Sequence, residues 1–324
     1  MALRIVFCGT PAFAVPSLRR LIAEPDFDVA GVVTQPDRPR GRGQEIQGSP
    51  VKDVAVAAGI PVYQPERIKS EESYEYFKRL APEAVVIIAY GQIISQRLID
   101  IPRLGWINLH ASLLPNYRGA APINWAILNG ETRTGLTTML IDAGLDTGPI
   151  LLKHDAGIGA DVTAPQLTFL LSEQGAPLVV ETLQGLSRAG ITPVPQDHSQ
   201  ATFAPPLKKE DGRIDWSLDA EKIYNRIRGL QPWPGAFTSF LGKRCNLWGA
   251  PLSAEGLESG PDAAHRNEPQ ANGTIAALGG KVVVRCGDHT WLQLESVQLD
   301  GRKRVSPQEF ARGAQLASGG RFGT

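Results

Sequence analysis

The sequence predicts an α/β protein with a doubly wound, mostly parallel sheet, followed by a second domain built as a small β-barrel. Up to residue 188, short apolar runs such as Glu83 to Ala89 alternate with helical segments, as buried parallel strands and their crossover helices do. After residue 236, short alternating segments are separated by glycine and proline, which is typical of antiparallel barrels. The Pro-rich, polar stretch between the two regions predicts a linker. The expected division is 1–188, a linker at 189–207, and 208–324.

The individual elements follow from local patterns. Strands are expected at 4–8, 27–34, 62–63, 83–89, 106–109, 134–141 and 149–154, and helices at 16–23, 50–58, 71–80 and 122–129. A capping pattern at Thr163 opens a further helical region, in which Gly175 and Pro177 predict a kink or two separate helices. In the second domain a helix is expected at 220–229 and strands at 238–240, 245–248, 273–277, 281–286 and 291–297. We expect an irregular insertion at 251–270.

Composition excludes several classes of protein. The apolar fraction of 42% and charged fraction of 20% are globular values, and the formal net charge of zero gives no overall basic field for nucleic acid. The three cysteines are far apart and odd in number, which favours a reduced, cytoplasmic protein without disulfides. No apolar run reaches the length of a membrane helix. The histidines form no metal-binding cluster in sequence, and we expect no metal.

The stretch from Leu104 to Leu128 contains the candidate chemistry. Asn108 and His110 are two residues apart on a short buried strand, so their side chains should point to the same side at the carboxyl end of that strand. An amide donor beside an imidazole at this edge of an α/β sheet suits chemistry on a carbonyl group. Taken alone, each residue also fits a structural, hydrogen-bonded role.

Several segments in order resemble the folate-dependent formyltransferase family: CGTPAFA, TQPDRPRGRG, AYGQII, INLHASLLPNYRGAAPINWAI, GLDTGPIL, IDW and QPWPGAF. The resemblance covers nearly the whole chain. It implies a Rossmann-like catalytic domain, a carboxyl-terminal domain of the oligonucleotide-binding type, and 10-formyltetrahydrofolate as co-substrate. It also implies that Asp146, in GLDTG, completes a catalytic set with Asn108 and His110. The nearby Asp142 has a structural interpretation as an Asx-turn residue.

The resemblance also assigns binding residues. It implies tetrahydrofolate binding by Ser112, Leu113, Leu114 and Pro115, with Tyr90 and Gly91 beside the pteridine ring. The two leucines equally fit a role in filling the core. Residues 35–50 predict a surface loop that carries Arg38, Arg40 and Arg42. Composition leaves this loop open between a solvated linker and a phosphate-binding finger, and the resemblance implies that it contacts tRNA, chiefly through Arg42.

The implied reaction transfers a formyl group to the amino group of methionine on initiator tRNA, in the cytoplasm and by a monomer. The sequence does not separate a base role for His110 from an oxyanion-stabilising one. Formyltransferases that act on sugar nucleotides or on glycinamide ribonucleotide share the catalytic set, as does a 10-formyltetrahydrofolate hydrolase. The arginine loop and the barrel favour tRNA over those alternatives. A non-catalytic RNA-binding protein would not need all three catalytic residues.

Overall fold

The computed structural model describes residues 2–40, 45–252, 271–278, 280–313 and 320–323. The chain forms two compact units. The first contains Met1–Ile123, Arg133–Ile158 and Gln166–Pro205, and the second contains Asn124–Thr132, Gly159–Pro165 and Pro206–Thr324. Among the described residues no helix has the length and apolar character needed to cross a bilayer.

A seven-stranded sheet forms the centre of the first unit. The strands of this unit are β1 (Leu3–Gly9), β2 (Phe27–Val33), β3 (Arg38–Arg40), β4 (Glu45–Gln47), β5 (Val62–Tyr63), β6 (Ala84–Ile88), β7 (Trp106–His110), β8 (Arg133–Leu140) and β9 (Ile150–Gly157). The order in the sheet is β5-β2-β1-β6-β7-β8-β9. β8 runs antiparallel to both of its neighbours, and the other pairs are parallel. The predicted doubly wound, mostly parallel sheet is confirmed.

Helices connect these strands. They are α1 (Val15–Ala23), α2 (Pro50–Ala57), α3 (Glu71–Leu80), α4 (Gln96–Ile99), α5 (Pro122–Leu128) and α6 (Ala164–Ser187). Ser49 and Ser70 cap α2 and α3, because each hydroxyl accepts a hydrogen bond from a backbone N–H of the first turn. The short helix α4 was not expected from the sequence.

Of the two alternatives predicted at Gly175 and Pro177, that of two separate helices is wrong, because α6 is a single helix with Pro177 inside it, and a kink stays a prediction. Gly175 has a packing role there. A Cβ atom at this position would lie 2.5 Å from Cδ2 of Leu109. The glycine therefore lets the helix approach β7 closely at the residue between Asn108 and His110.

The loop predicted at 35–50 contains regular structure. β3 and β4 pair antiparallel, with Arg38 opposite Gln47 and Arg40 opposite Glu45. Proline, glycine and arginine dominate this segment, so its composition predicts a loop even where backbone pairing forms short strands. Arg42 lies outside the described residues.

Residues 190–205, at the end of the first unit, pair with it at two points. Val194 forms a bridge with Ile150, and Phe203 forms one with Arg118. This segment fell within the predicted linker. The domain limits proposed from the sequence stay predictions.

The second unit contains an antiparallel sheet of six strands. They are β10 (Phe237–Phe240), β11 (Lys243–Pro251), β12 (Thr274–Leu278), β13 (Lys281–Arg285), β14 (Trp291–Leu299) and β15 (Gly320–Arg321), in the order β10-β11-β14-β13-β12-β15. The helices are α7 (Ala220–Gly229) and α8 (Pro307–Gly313). The amide of Gly323 donates a hydrogen bond to the carbonyl of Ser239 at 2.9 Å, which joins the segment after β15 to β10 and curls the sheet.

A buried aromatic cluster fills this curled sheet. Trp216, Phe240, Phe310 and Phe322 stack or meet edge to face, with ring centroids 5.1–5.9 Å apart. The predicted barrel-like carboxyl-terminal domain is confirmed, while α8 and β15 were missed. Residues 253–270, most of the expected insertion, lie outside the described residues.

Candidate active site

Asn108 and His110 line one cleft of about 390 Å³ in the first unit. Both project from β7 near its carboxyl end, as strand alternation predicts. Asn108 pairs with Ile87 of β6 on one side and Met139 of β8 on the other. The amide donor therefore stands on a strand that is fixed on both edges.

Asp146 reaches the same cleft from the loop between β8 and β9. Its Oδ2 lies 3.6 Å from Nδ1 of His110 and accepts a 2.9 Å hydrogen bond from the amide of Gly119. The backbone of Asp146 adopts a left-handed conformation, with φ +52°. The structure thus brings together the three residues predicted to be catalytic, although they come from separate segments.

The second ring nitrogen of His110 also has a partner. Nε2 lies 2.9 Å from the carbonyl oxygen of Tyr117, and His110 is only 6% exposed. A carbonyl oxygen cannot donate, so Nε2 carries the proton of this hydrogen bond. Nδ1 faces a carboxylate. Both ring nitrogens therefore face oxygen atoms.

Asp142 shapes the loop that carries Asp146. Its Oδ1 accepts hydrogen bonds from the amide of Gly144 at 2.9 Å and from the hydroxyl of Thr147 at 2.6 Å. The first contact is that of an Asx turn, which was the structural interpretation of this residue. Within the described ranges, no group of three or more metal-ligating side chains is found.

Tyr90 and Gly91 line the cleft through their backbone. The Tyr90 carbonyl accepts hydrogen bonds from Nε2 of Gln35 at 3.0 Å and from the hydroxyl of Thr10 at 3.3 Å. The Tyr90 ring is turned into the core, where burial raises the pKa of its phenol well above the usual range. Gly91 has φ +89°, a conformation that favours glycine.

The segment Ser112–Pro115 lies outside the lining of this cleft. The side chains of Ser112 and Leu114 are fully buried. The Thr137 hydroxyl donates to the Ser112 carbonyl at 2.7 Å and accepts from the Leu114 amide at 3.1 Å. The burial of Leu114 supports the core-filling interpretation for that leucine, while Leu113 is half-buried, and the assignment of the quartet to folate stays a prediction.

The structure adds residues that the sequence analysis did not identify. The cleft has an apolar wall, formed by Phe13, Ile87, Ile94, Met139 and Ile141. A concave, mostly apolar cleft with a few convergent polar groups is the usual form of a small-molecule site. Gln196 lies outside the cleft lining and donates hydrogen bonds to the loop that carries Asp146, and Arg118 binds Gln196. Only tertiary structure brings these residues to the site.

A second recess of about 970 Å³ shares the wall from Ala89 to Ile93 with the catalytic cleft. Arg38, Arg67 and Lys69 line it, all three of them exposed. None of the three takes part in an ion pair among the described residues. Arg40 lies in β3, at the far end of the same short strand.

The cysteines are buried and do not line the cleft. Burial raises the pKa of Cys8 well above the usual range and raises the pKa values of Cys245 and Cys286 to about 12. A thiol in this state is a poor nucleophile near neutral pH. The cysteines therefore offer no nucleophile to the cleft.

Comparison with known proteins identifies the family. The model of the formyl transferase family matches residues 3–183, and the model of the formyl transferase carboxyl-terminal domain matches residues 206–315. The chain belongs to the formyl transferase family. It is therefore a formyl-transferring enzyme.

Relatives of this formyl transferase match over their full length. The methionyl-tRNA formyltransferase of Acidobacterium capsulatum is 49% identical, over 99% of this chain and 100% of the relative. That of Solibacter usitatus is 50% identical, over 99% of each chain.

Solved structures share the fold. A sugar 3N-formyl transferase, crystallised in the presence of dTDP and 5-N-formyl-THF, aligns with a TM-score of 0.64 at 19% identity, over 94% of this chain and 100% of that one. The methionyl-tRNA formyltransferase from Clostridium thermocellum aligns with a TM-score of 0.54 at 19% identity, over 78% and 95%. At these identities the likeness shows the fold alone.

Proposed function

We propose that this chain transfers the formyl group of 10-formyltetrahydrofolate to the free amino group of methionyl-initiator tRNA. The observation that carries the proposal is the convergence of Asn108, His110 and Asp146 on one apolar-walled cleft. Full-length identity of 49–50% to methionyl-tRNA formyltransferases supports this choice of acceptor.

The reaction proceeds by direct attack. The lone pair of the methionine amine forms a bond to the formyl carbon, and the carbonyl π electrons move to oxygen. When that oxyanion collapses, the bond from carbon to N10 of the folate breaks. In sum, one proton passes from the attacking nitrogen to N10, so no further reactant is needed.

Asn108 and His110 stabilise the developing oxyanion. The side-chain amide of Asn108 is a neutral donor, and the loss of one such donor typically costs about a hundredfold or more in rate. The hydrogen-bond partners of His110 favour the oxyanion-stabilising role over the base role. Its Nε2 proton is engaged by the Tyr117 carbonyl, and its Nδ1 faces Asp146. A general base would need a free nitrogen lone pair directed at the amine.

Asp146 orients the imidazole ring of His110. The separation of 3.6 Å between Oδ2 and Nδ1 is longer than a hydrogen bond, and such contacts commonly shorten when substrate binds. The Gly119 amide fixes Oδ2, so the carboxylate has a defined position before substrate binds. Such preorganisation is the main source of electrostatic catalysis.

The folate ring would occupy the apolar-walled cleft beside Tyr90 and Gly91. Phe13, Ile87 and Ile141 supply apolar surface for a flat ring. The quartet Ser112–Pro115 would contribute by fixing the loop next to the cleft.

The basic recess supports a polyanionic acceptor. Arg38, Arg67 and Lys69 surround a surface that shares one wall with the catalytic cleft. Phosphate groups bind such exposed cations with strong salt dependence. We assign Arg38, Arg40 and Arg42 to tRNA contact, with Arg42 making the main one. In the second unit, Lys243, Arg302 and Lys303 line a further recess that suits RNA backbone.

The proposed setting is the cytoplasm, where the enzyme would act as a monomer. Light scattering on the purified protein should give the mass of one chain, 34.9 kDa. Twice that mass would contradict the monomer assignment.

A comparison of acceptors tests the proposed function. The protein is given 10-formyltetrahydrofolate with methionyl-initiator tRNA, an amino-sugar nucleotide, glycinamide ribonucleotide or water alone, and the formylated product is measured by mass spectrometry. We expect formylated methionine on tRNA. Exclusive formylation of a small amine, or release of formate in water at the same rate, would overturn the proposal.

A further inference from the structure

Gln196 binds the backbone of the catalytic loop through its side-chain amide. The residue is 6% exposed and lies in the segment that follows α6. Its Nε2 donates to the carbonyl of Asp146 at 2.9 Å and to the carbonyl of Gly148 at 2.7 Å. Both N–H groups of one amide are thus directed at the loop that carries the catalytic carboxylate.

The oxygen of the same amide binds Arg118. Oε1 accepts hydrogen bonds from Nε at 3.2 Å and from Nη2 at 2.7 Å. Arg118 is 4% exposed, and its Nη2 also contacts Nδ1 of His198 at 3.2 Å. A buried guanidinium usually has a carboxylate partner, but no ion pair among the described residues includes Arg118. A neutral amide therefore supplies its main contact.

Arg118 connects this network to the Asp146 side chain. It directly precedes Gly119, whose amide donates to Oδ2 of Asp146 at 2.9 Å. The Arg118 backbone is fixed on both sides, since its amide donates to Thr202 and its carbonyl accepts from Ala204. A Cβ atom at Gly119 would lie 2.6 Å from the Ala204 carbonyl oxygen, so this backbone approach requires glycine.

The catalytic loop needs such support. Asp146 has φ +52°, which costs free energy for a residue with a Cβ atom, and the preceding Leu145 is 62% exposed. Such a conformation persists where the surroundings determine it. Here the hydrogen bonds that do so come from Gln196 to the backbone and from Gly119 to the side chain.

We propose that Gln196 is a positioning residue for the reaction. Its amide binds both the Asp146 backbone and Arg118, and Arg118 directly precedes Gly119, whose amide binds the Asp146 carboxylate. Through these contacts Gln196 sets the position of Oδ2 relative to Nδ1 of His110. The kinetic part of this inference rests on the proposed function, while its geometric part does not. Displacement of a catalytic group by about 1 Å can cost up to about a hundredfold in rate.

Gln196→Glu tests the proposal with nearly unchanged volume. The carboxylate still accepts from Arg118, but it cannot donate, and it places a negative charge against two carbonyl oxygens. The matched control is Gln200→Glu, an exposed glutamine in the same segment whose amide binds Asp197. Gln196→Met, similar in size but without hydrogen bonds, is the second variant.

Three measurements separate positioning from general stability. We expect Gln196→Glu to lower kcat by about 10- to 100-fold, with KM for folate and for tRNA changed less than threefold. Amide exchange at Gly119 should become at least tenfold faster, while exchange in β1 and β6 stays unchanged. Gln196→Met should show the same pattern, and Gln200→Glu should match the wild type.

Other results would overturn the proposal. These are a kcat within twofold of the wild type in Gln196→Glu, an effect confined to KM, or a loss of activity in both Gln196 variants that only follows their unfolded fraction. If the wild type does not formylate methionyl-tRNA, the acceptor assignment fails. The Gly119 exchange rates still decide the positioning role in that case, because they need no acceptor.

Discussion

The loop that carries Asp146 and the hairpin formed by β3 and β4 lie in the same unit, but their charged side chains have opposite surroundings. In the loop, the carboxylate of Asp146 is largely buried, and it faces an imidazole and a backbone amide. Around the hairpin, Arg38 and the neighbouring Arg67 and Lys69 are exposed and take part in no ion pair of the described residues. Chemistry on one carbon needs fixed charges, whereas recognition of a polyanion uses accessible cations.

The segment just before β3 is nevertheless held by hydrogen bonds to neighbouring elements. Asp37 pairs with Lys52 and accepts a hydrogen bond from Gln64 at 2.7 Å. Both hydrogen bonds lower the pKa of the Asp37 carboxyl, and the one from Lys52 has the larger effect. Gln35 reaches the Tyr90 carbonyl of the cleft wall. The contrast therefore concerns the cationic side chains and not the whole segment.

The largest expected effect is at Asn108 and His110, the proposed oxyanion donors. Asn108→Ala and His110→Ala should each lower kcat by about a hundredfold or more, because a preorganised donor is lost from the transition state. Folate binding, measured by fluorescence titration, should remain within about threefold of the wild type.

Asn116→Ala is the control for this experiment, since that asparagine is exposed and lies outside the cleft lining. Near-normal single-turnover rates in either active-site variant would remove that residue from the mechanism. The comparison between the two regions would then no longer include a proposed catalytic role for that residue.

The second effect concerns the hairpin. Arg42→Ala should raise KM for tRNA and lower the slope of log binding against log salt by about one, because one phosphate contact is lost. KM for folate should not change. Arg188→Ala, which alters an exposed arginine just after α6, should leave both the KM and the slope as they are. Equal effects from the two substitutions would mean that the hairpin acts only by general charge.

A smaller effect is expected within the basic recess. Arg67→Ala and Lys69→Ala should each raise KM for tRNA by about two- to fivefold, with kcat unchanged, since exposed charges contribute modestly to binding. Formylation kinetics at two salt concentrations would show this. A fall in kcat for either variant would place that side chain near the reacting atoms. The recess would then contribute to the chemistry as well as to tRNA binding.

The smallest effect on catalysis is expected at Ser49, which lies two residues after β4. Its hydroxyl caps α2 and shares a buried 2.7 Å hydrogen bond with Thr34. Ser49→Ala should reduce the free energy of unfolding by about 1–2 kcal/mol, measured by urea denaturation, with kcat unchanged. Unaltered stability would show that neither contact is stabilising.

The sheet and the catalytic trio were accessible from the sequence for clear reasons. Buried strands such as Ala84–Ile88 are continuous apolar runs, and the two-residue period of β7 places Asn108 and His110 on one side. The place of Asp146 came from family resemblance, because no periodicity links the loop after β8 to β7. The structure brings these three side chains together, and their catalytic roles remain the proposal above.

What the sequence did not reveal depends on contacts between distant segments. The hairpin was predicted as a loop because its composition disfavours strands, although its backbone groups pair. Helix α6 continues past Gly175 because close packing on Leu109 favours glycine there. The link from Gln196 to Asp146 spans 50 residues and has no local signal.

The close approach at Gly175 has a consequence for genetics. A methyl group there would press on Leu109, which lies between the two proposed oxyanion donors on β7. Graded substitutions at this one position, from alanine to serine to valine, should produce a series of progressively weaker, heat-sensitive alleles. Suppressors of such alleles would be expected as smaller side chains at residue 109.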